Sequence, residues 1–288
     1  MLGHTIAGPA DIVTVRKTAE PGVRIERISG VATDLPDDPQ RNTAGRALLS
    51  LCRAAGLTHG FAVEINKGIP LGSGLGGSAA SAVAALVAAN GLLPEPLDRP
   101  ALYPHAMAGE AAATGGAAVG DNVGPMLTGG LALAAAGVLR RLTVPAAWHC
   151  AVVHPPMVIE TRAARNVLVA PWPLAAITAH SAHLALLLLG CLSGDETLVR
   201  AGLKDQLIEP RRAALVPHLE ACQRAAATAG ALGCTISGAG PAVFAWFTGR
   251  AAAESGGRLL QAACAAQGLE AALYVSPING PAAEILSE

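Results

Sequence analysis

Aromatic side chains are scarce, at 3% of the 288 residues. A core therefore has to be built from Ala, Leu and Val, and a surface for stacking single-stranded nucleic acid is excluded. Charge is also low, at 14%, and balanced, with 20 Lys and Arg against 21 Asp and Glu. Neither nucleic acid nor an anionic membrane is thereby recommended as a partner. Long apolar runs are lacking: Leu168 to Leu192 is interrupted by Pro171, Pro173, His180 and His183, and its unbroken stretch, Leu184 to Leu189, is far below the roughly 20 residues that span a bilayer. This region reads as a buried helix. Paired cysteine spacings are missing too. Cys52, Cys150, Cys191, Cys222, Cys234 and Cys264 are scattered, which predicts reduced core thiols in a cytoplasmic protein rather than disulfides or zinc. His180 and His183 share a helix face but lack a third ligand. No basic segment followed by an apolar stretch and a cleavage site opens the sequence, so export is not expected.

What is present is a chain of 52% hydrophobic residues, long enough for two domains or one large one. Alternation predicts strands at 12–16, 61–66, 151–154, 242–247 and 271–275. Helical periodicity fills 44–55, 78–89, 174–192, 213–228 and 251–267. The mixture is α+β. Strand, helices, strand, helix, strand after residue 150 suit a ferredoxin-like half, with a boundary near 145–148 that divides the chain into 1–146 and 147–288.

The most informative stretch is Lys67-Gly-Ile-Pro70-Leu-Gly72-Ser73-Gly74-Leu75-Gly76-Gly77-Ser78-Ala79-Ala80-Ser81, a glycine-rich link from an alternating strand to an alanine-rich helix. Without β-carbons such a backbone approaches an anion closely, and first-turn N–H groups of the helix point at it. A P-loop is excluded because no lysine follows the second glycine. Gly72-x-Gly74-x-x-Gly77 satisfies the dinucleotide fingerprint, with Asp98 as its acidic residue, but the match arises easily in a chain with 33 glycines.

The fuller string resembles the second motif of the GHMP small-molecule kinases, and within them of the homoserine kinases, with Gly77 in place of the first serine of a pair. Four further segments match in order: Gly109-Glu110 with Asp121-Asn122-Val-Gly-Pro125 and Gly129-Gly130; Thr161-Arg-Ala-Ala-Arg165; Asp205-Gln-Leu-Ile-Glu209-Pro210-Arg-Arg212; and Thr235-Ile-Ser-Gly238-Ala-Gly240-Pro241. The resemblance implies a GHMP kinase fold, with a ribosomal-S5-domain-2-like N-terminal half and a ferredoxin-like C-terminal half. It also implies ATP-dependent phosphorylation of the γ-hydroxyl of L-homoserine on the route to threonine, Mg2+ as cofactor, and a homodimer.

Site residues follow from the same resemblance. ATP is expected on Pro70, Gly72, Ser73, Gly74, Leu75, Gly76, Gly77, Ser78, Ala79 and Ala80, with Lys67 and Asn42 near the base. The metal is expected on Ser78 and Glu110, and homoserine on Asn122, Arg165, Arg212 and Gly238; Ser78, Glu110 and Asn122 form the catalytic set. Chemistry supports these assignments. A polyanionic donor needs a divalent cation on hard oxygens, which Glu110 and the Ser78 hydroxyl offer. An amino-acid carboxylate suits the planar forks of two arginines, and the Asn122 amide both donates and accepts.

Two departures stand out. Met1-Leu2-Gly3 resembles the end of the family's first motif, so the sequence reads as starting inside it, with a start assigned at an internal methionine as the economical explanation and a truncated, nucleotide-binding remnant as the alternative. Val119-Gly-Asp121-Asn122 lacks the histidine of the family's His-x-Asp-Asn, and no general base is nominated.

Overall fold

The structure, a computed structural model, describes residues 1–115, 119–135, 137–169 and 171–286. Its first strand, β1 (Leu2–His4), pairs antiparallel with β5 (Leu131–Ala135), which continues to β6 (Val138–Leu142). A second sheet has the order β2 (Ile12–Thr18), β4 (Gly60–Lys67), β3 (Gly22–Gly30), with β4 antiparallel to β2 and parallel to β3. The parallel pair is joined through α1 (Thr43–Ala54), whose start is fixed by Asn42: its side-chain oxygen accepts from the N–H groups of Ala44 and Gly45.

Helices α1 and α2 (Gly77–Gly91) cover this sheet, and α3 (Tyr103–Thr114) packs on both of them; α4 (Val123–Thr128) closes the end beside β5. Alanine makes that packing possible. In α2, Ala79, Ala82, Ala85 and Ala89 are all buried, and these short side chains let α1 and α3 come close while keeping a strong helix former at each position.

The C-terminal sheet is wholly antiparallel, in the order β10 (Ala272–Pro277), β7 (His149–His154), β9 (Val243–Phe247), β8 (Gly233–Ile236). By order of appearance this is 4-1-3-2, the ferredoxin-like arrangement expected. Between β7 and β8 run α5 (Thr161–Asn166), α6 (Leu174–Ser193), α7 (Glu196–Gly202), α8 (Glu209–Arg212) and α9 (Leu219–Thr228), and α10 (Arg250–Ala265) joins β9 to β10. The two halves share a core in which Leu131 and Leu142 pack with Val152, Leu187 and Trp246. The C-terminal segment then returns to the first half, where Gly130 N–H donates to Gly280 O at 2.9 Å and Ala283 N–H to Met126 O at 2.8 Å.

Three expectations need correction. The helix predicted over 213–228 starts only at Leu219, because Pro217 pushes Val216 out of the helical region, to φ −125° and ψ 72°. Helix α6 is not a buried helix: Leu187, Gly190 and Cys191 are covered, whereas Leu174, Ile177, Leu189 and Leu192 are exposed. By length and composition alone α6 could cross a membrane: Pro171 and Pro173 precede it, and only His180 and His183 fall within it. Five strands, β1, β3, β5, β6 and β8, went unseen. β3 carries an irregularity between Ile25 and Arg27 that breaks its alternation; β1, β5, β6 and β8 are short, and β5 has alanine where strand formers are usual.

Candidate active site

The loop between β4 and α2 lies along a cleft of about 990 Å³ between the halves. Its carbonyls face the C-terminal half: Gly72 O accepts from Ile159 N–H at 3.2 Å, Ser73 O from Ala242 N–H at 3.2 Å, and Gly74 O from the Ser237 hydroxyl at 2.9 Å. Gly74 has φ +80°, and a β-carbon there would sit 2.4 Å from Ser237 O, so only glycine lets the two glycine loops meet. With the carbonyls so engaged, the N–H groups of Gly77, Ser78 and Ala79 form the first turn of α2, where donors have no acceptor within the helix. Ala80 N–H is the first to bond within it, to Gly76 O at 3.0 Å. The arrangement suits an anion.

The acidic wall comes from α3 and the start of α4. Helix α3 packs on both α1 and α2, bringing Glu110 to the cleft that Ser78 also lines. Burial, and then the negative charge of Asp121, push the Glu110 carboxyl above its ordinary value; hydrogen bonds from the Asn122 side chain and Gly120 N–H, and the charge of Arg165, oppose them. Asp121 is likewise raised, chiefly by burial. Among the described residues no three His, Cys, Asp or Glu side chains form a metal cluster. The donor set, one carboxylate and one hydroxyl on a shared cleft, fits a hard cation that arrives with phosphates and keeps water.

The opposite wall is basic. Arg212, on α8, donates from Nε to Ala164 O at 3.3 Å and from Nη1 to Gly238 O at 2.9 Å, so it ties α5 and the second glycine loop together. Burial lowers its pKa, with Asp205 and Asp121 acting against that. Arg165 lines the same cleft, and its charge is felt by both Arg212 and Glu110. The Thr161 side chain of that element lies outside the described residues. Beside Arg212, Arg211 donates to Val169 O and, at 3.0 Å, to Pro171 O, with its guanidinium 3.8 Å from the Trp172 ring centre.

Most of the expected residues meet in this cleft: Pro70, Gly72, Ser73, Gly74, Gly76, Gly77, Ser78, Glu110, Asn122, Arg165, Arg212 and Gly238 all line it. Leu75 and Ala80 do not. They face a second cavity, of about 540 Å³, and Ala79 is buried in the core, so Ala79 offers the site only backbone. Asn42 and Lys67 border the cleft, but their polar atoms serve the chain itself. Asn42 caps α1 and donates to Pro36 O, and the Lys67 ammonium is buried among three acceptors. Asp98 accepts from Ala101 N–H, starting a short 3-10 turn, which removes the dinucleotide reading.

Comparison with known proteins accounts for this geometry. Residues 42–130 match the GHMP kinases N terminal domain, and residues 186–266 match the GHMP kinases C terminal domain. A homoserine kinase of Xylella fastidiosa is 53% identical over 286 residues, covering 99% of this chain and 88% of that protein. One from Xanthomonas campestris pv. campestris is 52% identical over 287 residues, covering 100% and 89%. The crystal structure of homoserine kinase from Cytophaga hutchinsonii superposes with a TM-score of 0.91 at 36% identity, over 97% of this chain and 89% of that one. The chain belongs to the homoserine kinases of the GHMP family. Membership accounts for the fold, in which a ferredoxin-like sheet brings its loop, residues 237–242, against the glycine loop of the first half.

Sequence reasoning missed some residues of this family member's cleft. Arg41 and Arg46 line it, five residues apart around the start of α1, and nothing in a lone arginine marks such a position. Asp11 was also passed over. It stands alone before β2, yet it binds the exit of β4.

Proposed function

We propose that this chain transfers the γ-phosphoryl group of ATP to the side-chain hydroxyl of L-homoserine. The observation that carries the proposal is the convergence, on one cleft, of an anion-receiving helix start (Gly77–Ala79), a carboxylate and amide (Glu110, Asn122) and two arginines (Arg165, Arg212). The helix start and its loop would seat the phosphates. The arginines would hold the amino-acid carboxylate, and Asn122, which already donates to Glu110, would orient the acceptor. The homoserine oxygen forms a bond to the γ-phosphorus as the bond to the bridging oxygen breaks; ADP leaves and the hydroxyl proton passes to solvent. Such a transfer relies on positioning and charge neutralisation, so the lack of a histidine beside Asp121 is tolerable. Magnesium would be held by Glu110 and the Ser78 hydroxyl and would neutralise charge on the phosphates.

The proposal extends to a cytoplasmic homodimer. Helix α6 carries no charged residue and turns Leu174, Ile177, Leu189 and Leu192 outward, a surface that a second copy would cover. Initial rates with homoserine and with mevalonate test the substrate: turnover of homoserine at least about a hundredfold better supports the two-arginine reading, and equal or reversed preference refutes it.

A further inference from the structure

The cluster at Lys67 has no part in the chemistry so far described. Lys67 and Asp11 are almost wholly buried, with side chains 1% and 0% exposed, and their ammonium and carboxylate are in direct contact. The Lys67 ammonium also donates to Gly77 O at 2.6 Å and to the Ser81 hydroxyl at 2.9 Å, and that hydroxyl donates to Asp11 Oδ2 at 2.6 Å. The other carboxylate oxygen, Oδ1, accepts from the N–H groups of Gly68 and Ile69, each at 3.1 Å. Three ammonium hydrogens thus meet three acceptors, and Asp11 accepts four hydrogen bonds.

The topology gives these contacts a purpose. Gly68 and Ile69 are where the chain leaves β4; Gly77 and Ser81 belong to the first turns of α2. One buried ion pair therefore ties together both ends of the glycine loop, whose middle residues, 72–74, are held by hydrogen bonds from the C-terminal half. Burying two charges costs free energy that mutual attraction recovers only with good geometry and full hydrogen bonding, which this cluster has. Replacing a buried ion pair by apolar residues of similar size is often neutral for stability, so a charged cluster here points to conformational specificity.

We infer that Asp11, Lys67 and Ser81 form a staple that holds the loop 68–77 in its anion-receiving shape, acting as positioning residues for the phosphates of the donor. Lys67 then contributes to nucleotide binding through the loop and not by contact with the base. The inference rests on the proposed kinase reading. A lysine that touched the base would have to leave all three acceptors and strand Asp11 in the core.

The two roles separate by ligand. Dissociation constants of ATP-Mg and of adenosine are measured by calorimetry for the unmodified chain, for Ser81→Ala, and for the double variant Asp11→Asn with Lys67→Met, which leaves no lone buried charge. Circular dichroism melting confirms that each is folded. The staple predicts that the double variant loses affinity for ATP-Mg by about tenfold or more and Ser81→Ala by about threefold, with adenosine within twofold of the unmodified chain in both. Equal losses for adenosine and ATP-Mg would assign Lys67 to the base and overturn the inference, as would unchanged ATP-Mg affinity in both variants. If the double variant does not fold, Ser81→Ala alone decides by the same criterion. Failure of the unmodified chain to bind ATP-Mg at all is a separate result that overturns the kinase reading itself.

Discussion

Gly74→Ala tests the contact between the two glycine loops, and its cost can be worked out from the structure. An alanine at φ +80° costs about 1–2 kcal/mol from backbone strain alone. Its β-carbon would also lie 2.4 Å from Ser237 O and 2.9 Å from Gly240 O, both backbone atoms that cannot swing aside. Loop separation would then break the hydrogen bond from the Ser237 hydroxyl to Gly74 O, worth about 1 kcal/mol net. The total is roughly 2–4 kcal/mol, expected to lower Tm by about 3–7 °C in a chain of this size. Gly56→Ala supplies the control, since that glycine has φ +58° and nothing within 4 Å of an added β-carbon. Strain alone acts there, at about 1 kcal/mol. Thermal melting of both variants, with KM for ATP measured on each, makes the comparison. Gly74→Ala should melt lower than Gly56→Ala and raise KM for ATP about tenfold or more, whereas Gly56→Ala should leave KM unchanged. If the two variants melt together, the loops do not depend on each other as described.

Glu110→Gln should lower kcat roughly a hundredfold or more while the protein stays folded, checked by steady-state rates and circular dichroism. Burial and then Asp121 raise the Glu110 pKa, and a cation-holding carboxylate must be ionised; activity is therefore lost as pH falls through that raised value. The acid limb of kcat/KM for ATP should lie above the ordinary carboxylate range at low Mg2+ and move to lower pH as Mg2+ rises, because cation and proton compete; a limb indifferent to Mg2+ would count against Glu110 as a ligand. Arg212→Lys should raise KM for homoserine about tenfold, the loss of one charge-assisted hydrogen bond, with KM for ATP within twofold. Leu189→Glu with Leu192→Glu should convert a dimer to a monomer by analytical ultracentrifugation, and a dimer that persists would remove α6 from the interface.

Much of the site was legible because its chemistry is local in sequence. The glycine loop, its helix and the Gly238 loop each announce themselves through glycine and proline, which few other structures require in that pattern. Part of the ferredoxin-like half was legible too, since β7, β9 and β10 are short apolar runs set between helical stretches, whereas the four residues of β8 gave no such signal. What escaped depends on partners far apart in the chain. Asp11 lies 56 residues from Lys67, and no periodicity ties them. The exposure of α6 was hidden because the helix is apolar on every side, so its sequence has no polar face to mark the outside. Arg41 and Arg46 look like any solvated arginine until α1 is folded against the cleft.

Phosphorus NMR of the chain with ATP, Mg2+ and L-homoserine measures the central claim most directly. The account predicts a phosphomonoester resonance of O-phosphohomoserine that grows in step with ADP, one for one, and that does not form when homoserine is omitted. ATP that persists beside well-folded protein, or ADP that accumulates with inorganic phosphate and no phosphomonoester, would contradict it.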